Sequence, residues 1–163
     1  MPSFQFLVKV SRFQGFKVSS EKQKIFTCLK KDYTVNELVD YFDSLDDRHQ
    51  ERSDFAAMTI GISHADFHKF SAVYEQTDGA VNYICIDAAN GYTERFVSYV
   101  KHMSETFPKI VIIAGNVVTA DQTQELILNG AHIVKVGIGP GSVCTTRIKT
   151  GVEYPQLHDV IEI

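Results

Sequence analysis

The chain has 163 residues, 44% hydrophobic and 22% charged, with a formal net charge of −4. That length can bury one real core, and the acidic balance argues against nucleic acid as a partner, because such binding calls for a basic face. No apolar run nears the roughly 18 residues of a membrane span, and the three cysteines (Cys28, Cys85, Cys144) are too few to be a disulfide framework and suit a reducing cytosol.

Near the N-terminus, Lys9, Arg12 and Lys17 precede the first acid, Glu21, a balance also found in organelle-targeting segments. Phe4, Phe6, Val8 and Val10 alternate as in a strand, and that is the stronger reading. Ile25 to Leu29 is a short apolar strand. Thr34 and Glu37 then make a capping box that predicts a helix to about Phe42, with Val35, Leu38, Val39 and Phe42 at helical spacing. The charged stretch from Asp46 to Asp54 reads as a solvated loop or frayed helix end. Phe55 to Ile62 is the next strand, followed by Ser63 as a helix cap and a helix to about Glu75. His64 and His68 have a zinc-compatible spacing on that helix, but with no third ligand in view they read as ordinary helix residues.

Three tighter units follow. Tyr83 to Asp87 predicts a buried strand and Tyr92 to Thr106 a helix. Lys109 to Ala114 predicts a strand, and Thr119 to Leu128 a helix stopped by Asn129-Gly130. His132 to Val136 is the last strand. Strand starts recur at roughly 23–30 residues, the beat of parallel strands joined by helical crossovers. An open doubly wound sheet and a closed eight-fold β/α barrel share this grammar. Length favours the open sheet slightly, since a complete barrel takes about 250 residues.

The segment Gly139-Pro140-Gly141-Ser142-Val143-Cys144-Thr145-Thr146-Arg147 sets a cysteine in a glycine-punctuated loop directly after a strand. Such a loop can lift a thiol to a pocket mouth for attack on an electron-poor carbon. Arg147 favours the thiolate if it faces the sulfur. Cys28 and Cys85 lie within strand runs and are expected to be small buried hydrophobes. The glycine spacing from Gly137 to Gly141 matches neither a dinucleotide fingerprint nor a Walker loop.

The cysteine loop resembles that of GMP reductases and the related IMP dehydrogenases. Ile84-Cys85-Ile86-Asp87-Ala88-Ala89-Asn90-Gly91-Tyr92, Ala114-Gly115-Asn116-Val117-Val118-Thr119 and Lys135-Val136-Gly137-Ile138 continue the resemblance in order. Lys149-Thr150-Gly151-Val152 and Tyr154-Pro155-Gln156-Leu157 side with GMP reductases. Residues 80–163 resemble the family closely and 24–80 moderately, whereas 1–23 is an unmatched N-terminal segment. Glu153, where the family usually has glycine, and Asp32, in place of a histidine, are departures.

The resemblance implies an α/β fold: a partial (β/α)8 TIM barrel over 24–163 with about five β/α units. It implies NADPH-dependent reductive deamination of GMP to IMP and ammonia. In that reaction Cys144 forms a thioimidate at C2 of the guanine ring and Thr146 helps move the proton that ammonia needs. Lys31, Asp87, Ala88, Ala89, Ile138 and Gly139 would line the NADPH site. Backbone oxygens of Gly139, Gly141, Cys144 and Arg147 would hold potassium. GMP and IMP are the implied ligands, and a homotetramer the implied assembly.

The family's opening strand, and its ribose, phosphate and flap segments, have no counterpart here. A chain ending after the strand at 132–136 would leave two sheet edges unpaired. It is expected to show no measurable turnover by itself, with Cys144 reacting faster than Cys28 or Cys85. A catalytically inactive homologue that associates with an intact subunit is the alternative, and an IMP dehydrogenase the third.

Overall fold

The computed structural model describes residues 27–43, 56–88 and 90–138, together with the backbone of 6–9. Among the described residues six strands form one sheet: β1 (Phe6–Lys9), β2 (Thr27–Leu29), β3 (Ala56–Ile60), β4 (Tyr83–Asp87), β5 (Val111–Val117) and β6 (Ile133–Val136). Four helices accompany them: α1 (Val35–Asp43), α2 (His64–Gln76), α3 (Glu94–Thr106) and α4 (Ala120–Leu128).

The spatial order is β1-β6-β5-β4-β3-β2, with β2 to β6 mutually parallel and in sequence order. A doubly wound sheet would reverse its order at a switch point. This one does not, and it therefore has the progression of a β/α barrel rather than that of the open alternative. β1 runs antiparallel along the outer side of β6. The N-terminal strand thus supplies backbone partners on the outer side of β6, and among the described residues the two borders of the sheet are β1 and β2.

Side-chain alternation divides the sheet into two unlike faces. Ala56, Met58, Ile60, Ile84, Ile86, Ile112, Ala114, Val134 and Val136 join the main core, to which α1, α2, α3 and α4 contribute Phe42, Phe70, Val100 and Leu126. The other face holds a small cluster, Ala57, Cys85 and Ile113, flanked by Tyr83 and Ile133. Each large apolar side chain fully removed from water stabilises by roughly 1.5–3 kcal/mol, so most of the burial energy lies on the helix-covered face. The opposite face carries small and polar residues toward the strand ends.

Local chemistry starts the helices where the sequence places them. Thr34 and Glu37 form the expected capping box, with the Glu37 amide donating to the Thr34 hydroxyl and the Thr34 amide to the Glu37 carboxylate. Ser63 and Asp66 do the same for α2, and Thr93 and Thr119 cap α3 and α4. Beyond α4, Gly130 adopts φ 102°, a left-handed conformation that glycine takes without a Cβ penalty.

The start of β6 is tied to β5 by His132, whose Nδ1 accepts the Ile112 amide at 3.1 Å. Burial lowers the His132 pKa, because an imidazolium would lose water there and could not accept that bond. A histidine depressed in the folded state contributes stability that is complete above its unfolded pKa of about 6.5 and is lost as pH falls through its lower folded value. Urea midpoints of the full chain are therefore expected to drop between pH 7 and pH 5 more steeply than those of His132→Gln. Parallel curves for the two proteins would disprove this role.

Candidate active site

The loops after parallel strands share one edge of a sheet, so the C-terminal ends of β2 to β6 gather polar residues from distant positions in the chain. In register, Asp87 on β4 lies beside Gly115 on β5, and Gly115 beside Lys135 on β6. The Lys135 ammonium donates to the Asp87 carboxylate across the intervening glycine. A Cβ at Gly115 would stand 2.6 Å from the Lys135 carbonyl oxygen and 2.8 Å from the Lys135 Cβ. The missing side chain at 115 is what lets the two outer ones meet.

The Lys135 side chain is 6% exposed and that of Asp87 is 41%. Burial works against the Lys135 charge, but the Asp87 carboxylate, which attracts the ammonium and accepts its hydrogen bond, outweighs burial and raises its pKa. Lys135 is therefore a fixed cation at the end of the sheet.

Around this pair opens a cavity of about 320 Å³, whose walls include Lys30, Lys31, Thr59 and Cys85 beside Asp87 and Lys135. The exposed Lys31 belongs to the turn after β2, and its carbonyl accepts a hydrogen bond from the Lys69 ammonium of α2 at 2.6 Å. The structure thus brings Lys31 and Asp87, far apart in sequence, to one cavity. Ala88 and Ile138 are not in its lining. Ala88 exchanges backbone hydrogen bonds with Gly115 and Asn116, and Ile138 is buried. Ala89, Gly139, Gly141, Cys144, Thr146 and Arg147 lie outside the described residues.

Asn116 ties the strand ends together. Its side-chain amide donates to the Gly137 carbonyl at 2.8 Å, immediately before the glycine loop. The Tyr92 hydroxyl accepts the Val118 amide, and the Gln122 side chain donates to the Gly91 carbonyl. These bonds lock the loops after β4 and β5 to one another.

One expectation about the thiols is corrected. Cys85 is buried as foreseen, but Cys28 is exposed, because β2 borders the sheet and is only three residues long. Sequence reasoning also passed over Lys135 as a site residue. Its signal was a single charge within the apolar run Ile133-Val134-Lys135-Val136, where a lysine needs a partner on one face of the sheet.

The fold and this arrangement define a segment of a β/α barrel with a charged site at the C-terminal ends of its strands. A family model described as the IMP dehydrogenase / GMP reductase domain matches residues 10–163. GMP reductase of Vibrio vulnificus (strain YJ016) is 49% identical over 153 residues, which cover 94% of this chain and 42% of that protein. GMP reductase of Shewanella halifaxensis (strain HAW-EB4) is 46% identical over 145 residues, 89% of this chain and 41% of the relative. The chain belongs to the IMP dehydrogenase / GMP reductase family. It spans about two fifths of the length of the curated relatives it matches. No helix among the described residues is long and apolar enough to cross a membrane.

Proposed function

We propose that this chain carries the cofactor-side wall and the cysteine loop of a GMP reductase, the enzyme that converts GMP to IMP and ammonia. The observation that supports this best is the Asp87–Lys135 pair facing one cavity with Lys31 at the C-terminal edge of the sheet. The donor set fits a dinucleotide: lysines suit phosphate oxygens, and a half-exposed carboxylate can accept from ribose hydroxyls or a carboxamide. Lys31 and Asp87, which line the cavity, are the residues this reading assigns to NADPH on geometry, and Ala88, Ala89, Ile138 and Gly139 are assigned to it on the family resemblance alone. When bound, NADPH supplies the hydride of the reduction.

The chain's own chemistry in this reading centres on Cys144. Its thiolate attacks C2 of the guanine ring, a C–S bond forms, the bond to the exocyclic nitrogen breaks, and ammonia leaves with a proton delivered through Thr146. Splitting the displacement through a covalent thioimidate replaces one high barrier by two lower ones. Backbone oxygens of Gly139, Gly141, Cys144 and Arg147 are the proposed potassium ligands. The reading carries a cytosolic location, GMP and IMP as ligands, and a tetrameric assembly.

Titration of NADPH fluorescence with the full chain tests the cofactor wall. Saturable binding is expected, weakened about tenfold or more by Asp87→Ala, which corresponds to about 1.4 kcal/mol. Absence of saturable binding would overturn the assignment. Adding GMP and following NADPH oxidation tests the expectation of no turnover by this chain alone. Consumption that vanishes in Cys144→Ser would overturn that expectation, whereas binding without consumption meets it.

A further inference from the structure

One bond beside the cavity serves neither the sheet nor a helix cap. The turn between β2 and α1 carries Lys30, Lys31 and Asp32, all of which line the cavity. Its far end is fixed by the cap of α1, where the Thr34 amide and hydroxyl donate to the Glu37 carboxylate at 2.7 and 2.8 Å. Its near end is fixed by β2, whose Leu29 pairs with Met58. Apolar burial does not anchor the middle, because residues 30–34 are exposed. The middle is instead held from another element. Lys69 of α2, outside the cavity lining, donates from its ammonium to the Lys31 carbonyl at 2.6 Å, across 38 positions of sequence.

That bond governs two cavity residues at once. A peptide unit is planar, so fixing the direction of its carbonyl also fixes the Cα atoms at both of its ends. The Lys31 carbonyl belongs to the unit that joins Lys31 to Asp32. The directions in which these two side chains leave the backbone therefore depend on Lys69. A hydrogen bond from an ionised donor is roughly twice as strong as a neutral one, and an exposed turn that lost it would regain backbone freedom.

We propose that Lys69 is a positioning residue for dinucleotide binding, which acts through the Lys31 backbone and makes no contact with the cofactor. The inference rests on the assignment of this cavity to NADPH. The gain is preorganisation: a lysine whose backbone is already fixed loses less freedom when its ammonium meets a phosphate. A field effect of the Lys69 charge would leave a different signature. Contributions of two lysines to a field add, whereas a positioning effect requires that Lys31 be present.

NADPH fluorescence titrations of the full chain in a double-mutant cycle test this. Lys69→Met is expected to weaken binding about fivefold, but by less than about twofold when Lys31→Met is already in place. Lys69→Arg keeps a cationic donor and is expected to retain most of the affinity. Equal losses from Lys69→Met in both backgrounds, or Lys69→Arg binding no tighter than Lys69→Met, would overturn the proposal. A readout without cofactor keeps the two readings apart. The NMR resonance of the Lys31 carbonyl carbon is expected to move upfield in Lys69→Met, as its hydrogen bond is lost, and to stay in place in Lys69→Arg. An unmoved resonance in Lys69→Met overturns the positioning role. A moved resonance together with no NADPH binding by the unsubstituted chain upholds the hold of Lys69 on the turn and counts against the cofactor assignment alone.

Discussion

Asp87→Ala is expected to destabilise the full chain by about 2 kcal/mol, and Lys135→Met by about 1 kcal/mol or less. The two changes break the same ion pair, and the difference comes from what each leaves behind. Loss of Asp87 strands an ammonium whose side chain is 6% exposed, whereas loss of Lys135 leaves a carboxylate whose side chain is 41% exposed and reaches water. Breaking a buried pair from one side costs about 3–5 kcal/mol and a surface pair about 0–1 kcal/mol. A half-exposed acid belongs between those limits. Methionine also keeps most of the lysine stem's volume. Because the Lys135 pKa is raised, its share of the stability is present below the ordinary lysine range and is lost as pH rises through the folded value. Urea midpoints at pH 7 with an unchanged slope measure both variants. Equal losses, or a larger one for Lys135→Met, would show that desolvation of the lysine does not govern the pair.

Phe70→Ala is expected to cost more still, about 3–5 kcal/mol, with no direct contact to the cavity. Phe70 is fully buried on α2. Its ring meets Phe107 edge-on, with centroids 5.0 Å apart, and stacks on Tyr74 at 5.9 Å. Phe107 is the residue that ends α3, so one ring pins two neighbouring helices together. Truncation removes the burial energy and leaves a void that aromatic neighbours cannot close without leaving their rotamers. Leu128→Ala is the control: that side chain is 77% exposed, and its loss is expected to stay within about 0.5 kcal/mol. A shift for Phe70→Ala no greater than for the control would refute the packing argument.

The elements that were legible in the sequence are those whose signals are local. Thr34 with Glu37, Ser63, and Asn129-Gly130 mark helix ends through bonds spanning a few residues, and the structure shows each at its expected place. Tyr83–Asp87 was read to the residue because an unbroken apolar run flanked by polar ones has one natural frame. The misjudged boundaries depend on distant partners. β5 runs to Val117, beyond the expected end at Ala114, because Asn116 bonds to Ala88 on one side and to Gly137 on the other. Helix α3 begins at Glu94 rather than at Tyr92, whose hydroxyl is engaged with Val118.

The amino-acid order by itself determined the alternation of strand and helix and the kinship carried by the motifs around Asp87 and Cys144, since periodicity, capping and motif spacing are properties of neighbouring residues. Tertiary structure alone decided the rest. It set the antiparallel cover on β6, the exposure of Cys28 on a border strand, and the meeting of Asp87 with Lys135 above Gly115. Each of these depends on which strands lie side by side. That choice is made by burying apolar faces across the whole sheet, and no short window of sequence records it.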